Sequence, residues 1–367
     1  MPVPGNPINN SMRAFEFLSE AEIPAKPATL GKDQLKKMDR ITRAMQSDPV
    51  LIDELFKTLS LRVKDDTGAM ADRILKFLNP DSPKDKDLSY ANTFLKSFAT
   101  AIEQTEGTTE EKLEFANTLG KVNHIDAKAL INAGVSDWDS WLVGTPFSKN
   151  LFLTCFNDPA FKIANKGPGE AALAFLSPQI SLQSSGGGGD ITVNGIPVEV
   201  KAGETASGGR LSPTANAVGS LFGNKEFWNS LFPDNPARAL ALSQKTGINA
   251  NNYSEFLSAN NLGLQSAKIL GAIFLDKGAQ SLVAAAGKKG ESVTALDIIK
   301  IAIKNYGSSQ GDDNFLILQK DVRKSMFFNV DNVDAVYGQL SVSCPLIDRD
   351  ARSAGKPQIG ILKRGRK

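Results

Sequence analysis

The chain has 367 residues, 41% hydrophobic and 22% charged, with 42 basic against 40 acidic side chains and a formal net charge of +2. That length suits two domains, or one domain with a large insertion; the near-neutral balance excludes bulk charge as a means of holding nucleic acid, and no run of about 18 apolar residues offers a membrane span. One histidine and two cysteines exclude a histidine-based metal site, a Ser-His-Asp triad and a disulfide framework, and together with an N-terminus lacking the marks of a secretory signal they predict the cytoplasm of a cell or of an infected host.

Residues 1–30, rich in Pro and Asn, predict an extended arm with a short amphipathic piece around 15–18. Residues 31–145 read as a helical accessory domain, because Leu35, Met38, Ile41 and Met45, then Leu51, Leu55 and Leu59, recur at helical spacing. Asn79-Pro-Asp-Ser-Pro83 and Glu106-Gly-Thr-Thr109 break that run. Thr108 and Glu111, ahead of Leu113, Phe115, Ala116 and Leu119, form a capping box at a helix start. The Glu110-Glu111-Lys112 triplet is therefore helical surface. His124, alone of its kind, reads as a surface or capping residue, and Cys155 and Cys344 as core.

From 146 the pattern changes to mixed α/β. Residues 169–176 predict a short helix carrying Glu170 and stopped by Pro178. The glycines of 186–189 are not followed by Gly-Lys-Ser/Thr, so they are no phosphate loop; they let the chain approach the end of the strand that starts at Asp190 without side-chain obstruction. Next comes Asp190-Ile-Thr-Val-Asn-Gly-Ile-Pro-Val-Glu-Val-Lys201. Asn194-Gly195 between alternating runs predicts a two-residue type I′ hairpin turn. That turn pairs Val193 with Ile196, Thr192 with Pro197 and Ile191 with Val198, and sets Asp190 opposite Glu199. Asp190, Thr192, Pro197, Glu199 and Lys201 then share one face, with Ile191, Val193, Ile196, Val198 and Val200 on the other. Like charges facing each other across a ladder, about 4.5–5.5 Å apart at Cβ, are destabilising. A hard divalent cation between them removes that cost, with Lys201 further along the same face.

Ser207-Gly-Gly-Arg-Leu follows closely and reads equally as a tight approach in which Arg210 holds a phosphate or as an ordinary turn with an exposed arginine. Residues 221–232 read as a buried helix, 233–310 as a helical insertion, and 315–319, 326–330, 337–344 and 358–362 as strands extending the sheet that holds the acids. The chain ends Leu362-Lys-Arg-Gly-Arg-Lys, a basic tail able to lie along a phosphate backbone or simply to solubilise the end.

Gly189-Asp190 followed by Glu199-Val200-Lys201 resembles the active-site core of the PD-(D/E)XK nuclease superfamily, with Gly189 in place of the usual proline. The resemblance covers roughly 165–211 well and the rest by element order. It implies a restriction-endonuclease-like mixed sheet over 146–367 beside the N-terminal helical domain, and a metal-dependent deoxyribonuclease, an endonuclease in the first instance. It also gives Glu170 the place of the acid on the first core helix, which helps bind metal or orient its water. On this reading Asp190, Glu199 and the Val200 carbonyl hold Mg²⁺ (with Mn²⁺ as substitute), and Lys201 positions the attacking water. Arg210, Ser207, Lys363, Arg364 and Arg366 contact DNA. A homodimer is one assembly open to it, and the glycine- and asparagine-rich composition has a phage-like character. The alternative is a non-catalytic virion or assembly protein retaining a nuclease-like fold.

Overall fold

The computed structural model describes residues 47–65, 85–158, 161, 166–183, 189–203, 208–350 and 352–362. The chain divides into two units, Met1–Asp48 and Pro49–Lys367, and every helix and strand described below belongs to the second. The expectations for 1–30, and those resting on Leu35, Met38, Ile41 and Met45, fall outside the described residues, as do Ser207, Lys363, Arg364 and Arg366.

The second unit is mixed α/β. It opens with helices α1 (Pro49–Asp65), α2 (Asp85–Gln104) and α3 (Thr109–Thr118). Leu55 and Leu59 of α1 are fully buried, as their spacing predicts, in one core with Phe98 and Ile102 of α2. The capping box of α3 forms, with the Glu111 N–H donating to Thr108 Oγ1 and the Thr108 N–H donating to Glu111 Oε2. Not all of 31–145 is helical: β1 (Gly134–Asp137) is an edge strand. Helices α4 (Pro146–Asn157) and α5 (Pro168–Leu176) lead into strands β2 (Ile180–Leu182), β3 (Ile191–Val193), β4 (Ile196–Gly203) and β5 (Gly209–Arg210). A helical run follows: α6 (Lys225–Leu231), α7 (Pro236–Ser243), α8 (Tyr253–Ala259), α9 (Ser266–Ile273), α10 (Gln280–Lys288) and α11 (Ala295–Gln310), with β6 (Ile248–Asn249) between α7 and α8. The chain closes with β7 (Asn314–Gln319), β8 (Lys324–Asn329), β9 (Leu340–Ser343), β10 (Pro345–Ile347) and β11 (Gln358–Ile361).

Six strands form the central mixed sheet in the order β1-β8-β7-β4-β3-β2. β4 and β7 are parallel, and the other pairs are antiparallel. Parallel neighbours need a long crossover, here everything from β5 to α11. The sheet is covered on both faces. Val198, Val200, Leu316 and Leu318 join one apolar core with α1–α5. Phe315, Ile317, Met326 and Phe328 point the other way, into a second core with α6–α11. Two-sided burial is why β7 reads as an unbroken apolar run rather than an alternation, and each fully buried Leu or Phe there stabilises by about 1.5–3 kcal/mol. The first core runs without a break across residue 145, because α1 packs on α2 and α3, these two pack on α4, and Phe94 and Phe98 of α2 meet Phe175 of α5.

Three sequence expectations change. The 221–232 helix begins only at Lys225, where Asn224 caps it by accepting from the Phe227 N–H. The 337–344 strand begins only at Leu340, after a single tight helical turn over Tyr337–Gln339. β9 and β11 do not extend the central sheet; they join β5 in a separate three-stranded sheet, and β10 pairs with β6. The last helix of the expected insertion, α11, delivers the chain to β7. Its end is set by Gly311 in the left-handed region (φ 77°), which lets the chain turn into the strand.

Candidate active site

The hairpin forms as its turn dictates. Asn194 and Gly195 both have positive φ (50° and 82°), the type I′ requirement, and the pairs Val193–Ile196, Thr192–Pro197 and Ile191–Val198 are in the expected register. Alternation along β4 then buries Val198 and Val200 in the first core and turns Glu199 and Lys201 to the opposite face.

Asp190 departs from expectation. The ladder ends at Ile191–Val198, and Asp190 is not held as a cross-strand partner of Glu199. Its N–H donates to the Val198 carbonyl at 2.9 Å. Its carboxylate folds back over β4, where Oδ2 accepts from the Val200 N–H at 3.1 Å and Oδ1 meets Lys166 Nζ at 2.9 Å. The cause is Gly189: its φ of +86° ends the extended conformation, and a Cβ there would lie 2.8 Å from the Val198 nitrogen. Proline, locked near φ −65°, has no place at that position.

Glu199 is only 6% exposed. Its Oε1 accepts from Tyr306 Oη of α11 and from Lys201 Nζ, both at 2.5 Å. Burial opposes the charge on Lys201, but the charge and hydrogen bond of Glu199, with Asp190 and Glu170 behind, outweigh it and hold the amine above the ordinary lysine range. β5 passes close over this lysine, since a Cβ on Gly209 would lie 2.9 Å from Lys201 Cβ. Arg210, the next residue, is exposed on that strand.

Glu170 occupies the first turn of α5, whose other residues from Gly169 to Leu176 are buried. A helix N-terminus favours an acid there. Burial nevertheless pushes its carboxyl up to about 7, against its own backbone N–H; Asp190 adds to the rise, and Lys201 and Lys166 oppose it. Glu170, Asp190, Glu199 and Lys201 are thus close enough to act on one another's charge. Val200 contributes backbone between them, its side chain in the core.

Three further members of the site are Lys166, Tyr306 and Asp312. Asp312, 5% exposed, stands just ahead of β7. Burial, then the charge and hydrogen bond of Glu199, raise its carboxyl to about 7, with the Gly189 N–H opposing and Asp190 adding. Its Oδ1 is buried without a protein donor; a proton shared with Glu199, or a cation, would satisfy it. Asp312 does leave a signal in the sequence, because Gly311-Asp312 before an apolar strand repeats the arrangement of Gly189-Asp190. Tyr306 and Lys166 carry no such local mark.

Among the described residues, no three Asp, Glu, His or Cys side chains are gathered closely enough to cage a metal ion. The oxygens of Asp190 and Glu199 face lysines instead. His124 is not a surface residue: it is 5% exposed, its ring 5.0 Å from that of Phe115, and burial lowers its pKa. Both cysteines are buried free thiols, as expected. No helix among the described residues is long and apolar enough to cross a membrane. No protein-family model, curated protein or solved structure matches this chain.

Proposed function

We propose that the chain is a metal-dependent nuclease that hydrolyses phosphodiester bonds in DNA, an endonuclease of the PD-(D/E)XK type with a restriction-endonuclease-like core, acting inside a cell or an infected host. The observation that carries this reading is the convergence of Glu170, Asp190, Glu199 and Lys201 from one helix start and two paired strands. No three of these acids lie close enough among the described residues to cage an ion, but their donor type, hard carboxylate oxygen, is the one Mg²⁺ or Mn²⁺ takes. Among the described residues, four carboxylates, those of Glu170, Asp190, Glu199 and Asp312, are accompanied by two ammonium groups, Lys166 and Lys201, and two of the acids are pushed up to about 7. Such an excess of hard oxygen donors suits a divalent cation. Asp190 and Glu199, with the Val200 carbonyl, would hold it and Glu170 would assist. When bound it supplies a Lewis acid that neutralises phosphate charge and lowers the pKa of the attacking water.

The chain's own groups do the rest. Lys201, kept protonated by Glu199, offers a fixed positive point to the charge that develops on the phosphate. Glu199 restrains that ammonium group to one place. Arg210, on the strand over Lys201, supplies a planar donor fork for a flanking phosphate. Glu170, with a pKa of about 7, is able to take or give a proton at the working pH.

The test is incubation of the purified chain with supercoiled plasmid and Mg²⁺. Nicked or linear product is expected from wild type and none from folded Glu199→Gln or Lys201→Ala. Wild-type cleavage by either variant would sink the assignment. One observation favours a second reading, a non-catalytic assembly protein: Lys166 and Lys201 already neutralise Asp190 and Glu199. Absence of cleavage in Mg²⁺ and in Mn²⁺ would select it.

A further inference from the structure

Glu199 reaches the site from a buried strand, so something must hold its carboxylate in one orientation. Oε1 receives two donors, Lys201 Nζ from its own strand and Tyr306 Oη from α11, each at 2.5 Å. Tyr306 is 4% exposed, and its ring packs on Phe315 of β7 with centroids 5.8 Å apart. Phe315 is the residue of β7 paired with Glu199 itself. Lys201 Nζ also lies 5.8 Å from the centroid of the same ring, within reach of cation–π attraction. One side chain therefore touches both polar members of β4, through its hydroxyl and through its face. Tyr306 shares the second apolar core with Phe315 and Phe328, and with Ala302 and Ile303 of its own helix. For packing in such surroundings phenylalanine would serve equally well.

We propose that Tyr306 is a positioning residue for DNA hydrolysis, holding Glu199 and, through it, Lys201 in their working orientation. The inference rests on the nuclease reading and adds to it a residue that no motif marks. A hydroxyl placed in apolar surroundings is costly unless it is hydrogen-bonded, and the bond it makes here is to a carboxylate, the stronger charge-assisted kind. Outer-shell partners of this sort act by fixing the orientation of the groups that meet cation and substrate, and removing one costs about 10–100-fold in affinity or activity. Tyr306 is not offered as a catalytic residue, since it reaches the site through Glu199.

Tyr306→Phe is the test, because it keeps the ring on Phe315 and removes only the hydroxyl. Plasmid cleavage at saturating Mg²⁺ is expected to slow about 10–100-fold, with KM within about twofold of wild type and a melting temperature lowered by only a few degrees for the lost bond, so that the variant is fully folded in the assay. Mn²⁺ affinity measured by electron paramagnetic resonance without DNA should fall by about tenfold, at the low end of the same range. A wild-type rate or a wild-type Mn²⁺ affinity in this variant overturns the proposal, as does a slower rate that only follows loss of the folded protein at the assay temperature. Cleavage by wild type separates the two levels of inference. If wild type cuts DNA and Tyr306→Phe cuts equally well, only the positioning role fails; if wild type neither cuts nor binds Mn²⁺, the nuclease reading fails and takes the positioning role with it.

Discussion

At the scale of single residues, the described acids of the site, Glu170, Asp190, Glu199 and Asp312, outnumber its described cations, Lys166 and Lys201. Glu170 is the clearest case. Its folded-state value of about 7 lies above the ordinary 4.5, so between those values the folded protein holds a proton that the unfolded chain has released. Its contribution to stability is therefore complete below about pH 4.5 and is lost as pH rises through about 7. Asp312, also raised to about 7, acts in the same direction. A tenfold change in acidity corresponds to about 1.4 kcal/mol, so the metal-free protein should lose on the order of a few kcal/mol across that window. Urea unfolding at pH 5 and pH 8, with chelator present, measures it. Glu170→Gln should remove a large share of the pH dependence, and an unchanged dependence in that variant would show that Glu170 is solvated and ordinary.

At the scale of the element, the hairpin owes its register to one turn and its departure from register to one glycine. Gly195 and Gly189 both have positive φ, +82° and +86°, but their surroundings differ. A Cβ on Gly195 would meet nothing within 4 Å, whereas one on Gly189 would press on the β4 backbone at 2.8 Å. Left-handed backbone alone costs a side chain about 1–2 kcal/mol, which is the destabilisation expected for Gly195→Ala. Gly189→Ala adds a backbone clash and should cost on the order of 3 kcal/mol or more. It should also impair cleavage, because Asp190 must move with its neighbour. Denaturant melts of the two variants side by side decide the matter, and equal destabilisation would remove the close approach as the reason for glycine at 189.

At the scale of the whole molecule, a net charge of +2 supplies little general attraction for DNA, so on the proposed nuclease reading binding would come from local basic groups. Arg210 and the basic residues of 363–367 are the candidates, and phosphate contacts of this kind carry no sequence information. In a Glu199→Gln background, deleting 363–367 should weaken binding alike on unrelated sequences and flatten the salt dependence by about one unit of slope for each phosphate the tail had neutralised. An unchanged slope would leave the tail a solubilising end. Much of the site was legible in the sequence by itself: the turn at Asn194-Gly195, the face shared by Glu199 and Lys201, the helix carrying Glu170 and the capping box at Thr108 are all set by interactions between near neighbours along the chain. What only the tertiary structure decided lies at long range. Lys166 meets Asp190 from 24 residues away, and Tyr306 meets Glu199 from 107. The separate sheet of β5, β9 and β11 and the two-faced burial of β7 are likewise products of how distant elements pack. Local periodicity records which way a side chain points from its own element, while the partner it meets there is chosen by the packing of elements whose separation along the chain leaves no mark in either local pattern.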